Sequence, residues 1–167
     1  MNNDLTLFIQ LVQIALGHRS VFSVAPTEEQ WDALYEMAFR QTIAGVLFPA
    51  LGKLQDKQRA PRKLFMKWYS LVETIKERNA ELNKASTLAV KTFRRDGMRS
   101  IILKGQGLAT LYPDPLLRQP GDVDIWVEGK RDELVRYGHR YYPEGKPEYH
   151  HMKFHAIEGV EMELHFR

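Results

Sequence analysis

Two aspartates one residue apart, Asp122 and Asp124, open a short apolar run in Gly121-Asp122-Val123-Asp124-Ile125-Trp126-Val127. The run is β-branched and aromatic and reads as a strand. Strand side chains alternate, so both carboxylates share one face, and Val123, Ile125 and Val127 share the other, the core side. Like charges on one face repel unless a cation sits between them, and all-carboxylate clusters suit hard ions such as Mg2+. The pair points to a metal site that handles phosphate. The competing reading is two solvated charges at a strand edge.

Context upstream favours the metal. Ile101 to Leu103 form a compact apolar run that reads as a strand, and Lys104-Gly105-Gln106-Gly107 breaks it with a glycine-rich turn. Leu108 to Tyr112 then starts a helix. A strand, a glycine-rich turn and a helix start present free backbone N–H groups, which favour a phosphate, and Lys104 adds positive charge. The plainer alternative is an ordinary strand-to-helix connection.

Downstream, Val160-Glu161-Met162-Glu163-Leu164-His165-Phe166 alternates apolar and polar residues, so Glu161, Glu163 and His165 share one face of a half-buried strand. The stretch Met152-Lys153-Phe154-His155-Ala156-Ile157 can pair with it across Glu158-Gly159 as a hairpin. If this strand lies beside the Asp122–Asp124 strand, one of its glutamates completes a three-carboxylate site, and Glu163, deeper in the run, is the better candidate.

In order, the pattern is strand, Lys-Gly loop, helix, Asp-x-Asp strand, helix, then a hairpin with a late carboxylate. It resembles the nucleotidyltransferase fold of the DNA polymerase β superfamily. More narrowly, it resembles an uncharacterised bacterial nucleotidyltransferase family through Leu103-Lys104-Gly105, Tyr112-Pro113, Arg118, Gly121-Asp122-Val123-Asp124 and Glu163-Leu164-His165. These motifs run from about Arg99 onward, with helices ahead of them. The resemblance implies that Asp122 and Asp124 bind catalytic Mg2+, with Mn2+ as the alternative ion. Glu163 would be the third carboxylate and help take a proton from the attacking hydroxyl. The superfamily's usual glycine-serine is replaced here by Lys104-Gly105, so the phosphate contacts pass to Lys104, Gln106 or the backbone N–H groups of Gly105 and Gly107. Relatives of this type continue into structure that helps hold base and acceptor. A core truncated after Arg167 is therefore one expectation and a minimal domain the other.

The elements that must position these residues follow from the rest of the chain. Its 167 residues suffice for one domain, or a domain with a helical extension. The first part reads helical. Leu5 to Leu16 has helical spacing, and Thr27-Glu28-Glu29-Gln30 is a capping box ahead of Trp31, Leu34, Tyr35 and Ala38. Thr42 to Leu51 reads as a further helix. A long helix follows Pro61 and ends near Asp96-Gly97, where glycine caps it. The expected architecture is α+β: a helical region over 1–97, and a nucleotidyltransferase-like core with a small mixed or antiparallel sheet over 98–167.

A net charge of +3 allows an anionic substrate without indicating nucleic-acid binding. Zero cysteines exclude disulfides and thiolate metal sites and fit a cytoplasmic location. The N-terminus does not read as a signal peptide, and no run is apolar enough to span a membrane. Arg118, in the proline-rich loop before the Asp-x-Asp strand, is placed to pair with a metal-site carboxylate, to contact a triphosphate bidentately, or to form a structural ion pair. His150, His151, His155 and His165 invite a zinc reading. Adjacent histidines point to opposite faces of a strand, however, which disfavours a shared ion at His150-His151.

The function these residues suggest is a metal-dependent nucleotidyltransferase. It would move a nucleoside monophosphate from an NTP to an acceptor hydroxyl and release pyrophosphate. A small molecule or a protein is a more suitable acceptor than a nucleic acid. Without metal, three carboxylates should repel, so removing one charge is expected to raise the melting temperature. One alternative is a non-catalytic nucleotide- or partner-binding module on the same fold. Another is an Asp-x-Asp glycosyltransferase holding a nucleotide sugar, which the helical first part counts against.

Overall fold

Helix starts and stops in the first part of the chain are set by local chemistry. The computed structural model describes residues 3–154 and 157–166. Helix α1 (Asn3–Ala15) buries Leu7, Leu11 and Ile14 at three- and four-residue spacing. Helix α2 (Glu28–Arg40) is opened by Thr27, whose hydroxyl accepts from the Gln30 N–H while the Gln30 side chain accepts from the Thr27 N–H. Helix α3 (Ala44–Leu51) follows, and then the long α4 (Arg62–Arg95). At the end of α4, Gly97 takes φ +79° and the Met98 N–H returns to the Phe93 carbonyl at 2.9 Å, a left-handed cap.

The chain divides into two compact units, and the division falls within α4 between Lys76 and Glu77. The sequence expectation draws its boundary at residue 97, the end of that helix. The first unit holds α1 to α3, the first part of α4 and Leu117–Gln119. Its core includes Leu11, Trp31, Leu34, Leu47 and Trp68. The indole N–H of Trp68 donates to the Ala44 carbonyl at 2.9 Å, so this buried ring leaves no polar atom unsatisfied. Gly45 lies against the Leu117 carbonyl where any side chain would collide.

The second unit is the mixed sheet expected from the sequence, with helical segments against it. Strand β1 (Ser100–Ile102) leads into helix α5 (Lys104–Ala109). Strand β2 (Val123–Val127) leads into helix α6 (Arg131–Tyr141), and β3 (His151–Lys153) and β4 (Met162–His165) close the sheet. Strand order is β1-β2-β4-β3, with β2 and β4 parallel and the other two pairs antiparallel. The expected hairpin of β3 with β4 is present, although His155 and Ala156 lie outside the described residues, as does Arg167. The expected turn is present at Lys104 and Gly105, whose backbone is not helical, but the helical part of α5 that follows is short and ends at Ala109, so helix takes in Gln106 and Gly107 and does not extend to Tyr112.

The core face of the sheet carries Val123, Ile125, Val127, Met152, Met162 and Leu164. Leu82, Ala89 and Phe93 of α4 and Leu134 and Tyr137 of α6 pack in the same cluster. The Tyr137 hydroxyl donates to Asp96 Oδ2 at 2.8 Å, and Arg95 Nε lies 3.0 Å from Asp96 Oδ1. Burial, followed by the hydrogen bond with Tyr141, pushes the Tyr137 phenol well above its ordinary value. The hydrogen bond from Arg95, then that from Tyr137, holds the Asp96 carboxyl below the usual range.

Candidate active site

Strand pairing creates the site, because its residues are far apart in the chain. The parallel register sets Asp124 beside Glu163 and Trp126 beside His165. The antiparallel register sets His151 beside His165 and Lys153 beside Glu163. With Val123, Ile125, Met162 and Leu164 turned to the core, alternation turns Asp124, Glu163, His165 and His151 to the opposite face.

The side chains on that face interlock. His165 Nε2 lies 2.7 Å from Asp124 Oδ1 and 3.3 Å from Glu163 Oε2, so an N–H there sits between the two carboxylates. Lys104 Nζ donates to the same Asp124 Oδ1 at 3.2 Å. Asp124 and His165 are buried, and the side chain of Glu163 is about one-quarter exposed at 25%. Ligand atoms of Asp124, Glu163 and His165 all lie within 4.8 Å of one another, a spacing from which a single cation can draw them together.

Lys104 reaches Asp124 from a tight turn. The Leu103 N–H donates to the Asp124 carbonyl at 2.9 Å, fixing the end of β1 against β2. Lys104 then adopts φ +36°, a left-handed conformation that a lysine adopts at a cost. Gly107 packs so closely on β1 that a Cβ there would stand 2.8 Å from the Ile102 carbonyl oxygen. A Cβ at Gly105 would stand 3.4 Å from the Asp122 carbonyl oxygen, an ordinary contact, which puts the turn beside the entry to β2.

Asp122 is exposed just before β2 and is not in the Asp124–Glu163–His165 group; it has no hydrogen bond or ion pair among the described residues. Gln106 is buried, and its amide donates to Asn83 Oδ1 at 2.8 Å and to the Asn79 carbonyl at 3.4 Å, so its side chain faces α4. Arg118 belongs to the Leu117–Gln119 segment of the helical unit, where it donates to the Gln119 carbonyl at 3.1 Å. Glu161 is exposed ahead of β4, and its carbonyl accepts from the Val123 N–H at 3.0 Å.

Two contacts of residues already singled out were not legible in the sequence. His165 was visible on the Glu163 face by alternation, but its place between two carboxylates depends on the β2–β4 register. The Lys104–Asp124 pair depends on the left-handed backbone at Lys104, which nothing in the residue type signals.

A mixed four-stranded sheet with helices, an acidic pair on adjacent parallel strands and a Lys-Gly turn beside it define a nucleotidyltransferase-like α+β fold. The chain belongs to the family described as "Uncharacterised nucleotidyltransferase", whose model matches residues 27–167 and so takes in the helices from α2 onward as well as the sheet. No curated protein and no solved structure matches the chain significantly. Family membership implies a nucleoside triphosphate as substrate. No helix among the described residues is long and apolar enough to cross a membrane.

Proposed function

We propose that the chain is a divalent-metal-dependent nucleotidyltransferase that moves a nucleoside monophosphate from an NTP to an acceptor hydroxyl. The observation that carries this reading is the Asp124–Glu163 pair, side by side on parallel strands with Lys104 Nζ 3.2 Å from Asp124. The donor set fits the ion. The carboxylate oxygens of Asp124 and Glu163 suit Mg2+ or Mn2+. Asp124 and Glu163 would hold the ion, and Asp122, exposed at the entry to β2, would join them when triphosphate binds. When bound, the divalent ion supplies charge neutralisation for the triphosphate and for the departing pyrophosphate.

The chain's own groups divide the remaining work. The acceptor oxygen attacks the α-phosphorus; a P–O bond forms there, and the bond to the pyrophosphate oxygen breaks, with the electron pair leaving on pyrophosphate. Glu163 takes the hydroxyl proton on a carboxylate oxygen. His165 Nε2 holds Asp124 in place. Lys104 exchanges its contact with Asp124 for the triphosphate, and the backbone N–H groups of the Lys104–Gly107 turn are offered to the phosphates. Catalysis of this kind is mainly positioning and charge neutralisation. The acceptor is a small molecule or a protein.

The test is pyrophosphate release from each of the four NTPs with Mg2+ or Mn2+ and candidate acceptors. Asp124→Asn and Glu163→Gln should abolish it. Full activity in both variants refutes the assignment. The second reading is a binding module without turnover, favoured by the lysine that occupies Asp124 and by the position of Asp122 outside the acidic group. Saturable NTP binding with no pyrophosphate release from any acceptor would select it.

A further inference from the structure

Three imidazoles for which the transfer reaction has incomplete use meet at the start of β3. His151 and His165 are register partners, so their rings share a face. Strict alternation would send His150 to the other side, which is the argument against a shared ion at His150-His151. That argument fails because His150 precedes β3 and lies in a bend with Tyr149. The bend is pinned on both sides. The Glu148 N–H donates to the His151 carbonyl at 2.8 Å, and the Phe166 N–H to the His150 carbonyl at 3.0 Å. The rings of His150 and His151 stand 4.6 Å apart, those of His151 and His165 5.3 Å, and those of His150 and His165 5.6 Å. One ring nitrogen of each lies within 4.8 Å of the other two.

The surroundings are those of metal-binding histidines. His151 is buried, and its Nε2 faces the carboxylates of Glu163 at 3.5 Å and Glu148 at 3.8 Å. Its Nδ1 is buried and has no hydrogen-bond partner among the described residues, an arrangement that folded proteins avoid unless something else meets that atom. His165 directs Nε2 to Asp124 at 2.7 Å. Carboxylates that hold one nitrogen of a ring orient the ring and leave the other nitrogen for a metal.

We infer that His150, His151 and His165 form a nitrogen-donor site for a borderline divalent cation of the Zn2+ class. Imidazole nitrogens select such ions, whereas Mg2+ demands oxygen. In a tetrahedral site with Zn–N bonds of 2.0–2.1 Å, neighbouring donors stand about 3.4 Å apart. His150 is exposed, so its ring has room to rotate toward the other two. The bound ion ties the bend before β3 to the end of β4. Because His165 also belongs to the Asp124–Glu163 group, the two sites share a wall.

The inference does not rest on the transfer reaction, and its test reads metal binding alone. The full chain, freed of metal with a chelator, is titrated calorimetrically with Zn2+ and separately followed by visible absorption with Co2+. Expected are one Zn2+ per chain, no displacement by equimolar Mg2+, and the intense bands of four-coordinate Co2+. His150→Ala alters an exposed side chain, so the fold should survive, and it should lower Zn2+ affinity at least tenfold, as loss of even an outer partner does. His151→Ala should do the same. Wild-type Zn2+ affinity in His150→Ala would mean that the ion sits among the carboxylates and would overturn the inference. So would a Co2+ spectrum of the weak six-coordinate type, or no Zn2+ binding at all. Zn2+ binding by a chain that releases no pyrophosphate would sink the transfer reading and leave this one standing.

Discussion

Asp124→Asn separates a repelling acidic cluster from a compensated one. If the carboxylates merely repelled each other, removing a charge would stabilise the metal-free chain. The geometry argues the opposite. Asp124 Oδ1 accepts from His165 Nε2 at 2.7 Å and from Lys104 Nζ at 3.2 Å, and the same imidazole nitrogen stands 3.3 Å from Glu163, between the two acids. A hydrogen bond to a charged group contributes about 1.5–3 kcal/mol and a neutral one about 1 kcal/mol, so the amide recovers only part of the His165 bond. The Lys104 side chain is 67% exposed, so its ion pair adds well under about 1 kcal/mol after screening. The net loss is about 1–2 kcal/mol, which for a chain of this size lowers the melting temperature by about 2–8 °C. Asp122→Asn is the internal control. That carboxylate is exposed and without a partner among the described residues, so its change should stay within about 0.5 kcal/mol. The assay is thermal and urea unfolding of the three proteins in chelator, repeated with Mg2+ and NTP. Ligand should raise the wild-type transition by mass action and leave that of Asp124→Asn unmoved. An Asp124→Asn chain at least as stable as wild type in chelator would refute the compensation argument.

Further outcomes follow from single contacts. Gly107→Ala places a Cβ 2.8 Å from the Ile102 carbonyl oxygen and should cost on the order of 1–3 kcal/mol, whereas Gly105→Ala meets only an ordinary contact at 3.4 Å; comparison of their urea midpoints checks the difference. Lys104→Gly relieves the left-handed backbone at φ +36°, so stability should hold or rise by up to about 1 kcal/mol, while NTP affinity falls and loses part of its salt dependence in titration calorimetry. For Tyr137, burial favours the neutral phenol in the folded chain, so its contribution is complete below the ordinary phenol value of 10.0 and is lost as pH rises above it, where the unfolded chain ionises first. Wild-type stability should therefore fall above pH 10 more steeply than that of Tyr137→Phe in denaturant titrations. Asp96, lowered chiefly by Arg95, has the opposite sign: its contribution is present above the ordinary carboxyl value of 3.8 and is lost as pH falls through the lower folded value.

The readable parts of this chain were those set by near neighbours. Thr27 and Gln30 cap α2 through atoms three residues apart, and Gly97 ends α4 where the sequence places a cap. The alternation in Val123–Val127 and Met162–His165 tells which face each acid occupies. It does not tell which strands adjoin, and the Asp124–Glu163 pair exists only because β4 inserts next to β2. Gln106 was illegible for a related reason. The non-helical turn at Lys104 and Gly105 precedes it, and its amide meets Asn79 and Asn83 of α4, partners more than twenty residues away in the chain. The three-histidine cluster was hidden by a backbone bend at Tyr149 and His150, since a period-two argument holds only where the chain is extended. The family motifs covered the sheet, and its acidic positions emerged on one face; the grouping of Asp124 with His165, and not with Asp122, is a property of register.

The strand order carries a kinetic implication. Among the described residues β4 follows the other three strands in sequence, yet it occupies an interior position between β2 and β3. Until it is in place, β2 and β3 each present an open edge of unpaired backbone groups, and the central parallel pairing of Val123 with Met162 must close over the whole α6 crossover. During synthesis those edges therefore stay unpaired until β4 emerges. Long-range parallel pairing of this kind folds slowly and is exposed to aggregation while it does. The strand that brings Glu163 to Asp124 also joins β3 to β2, so the acidic pair and the four-stranded sheet should form in the same folding step.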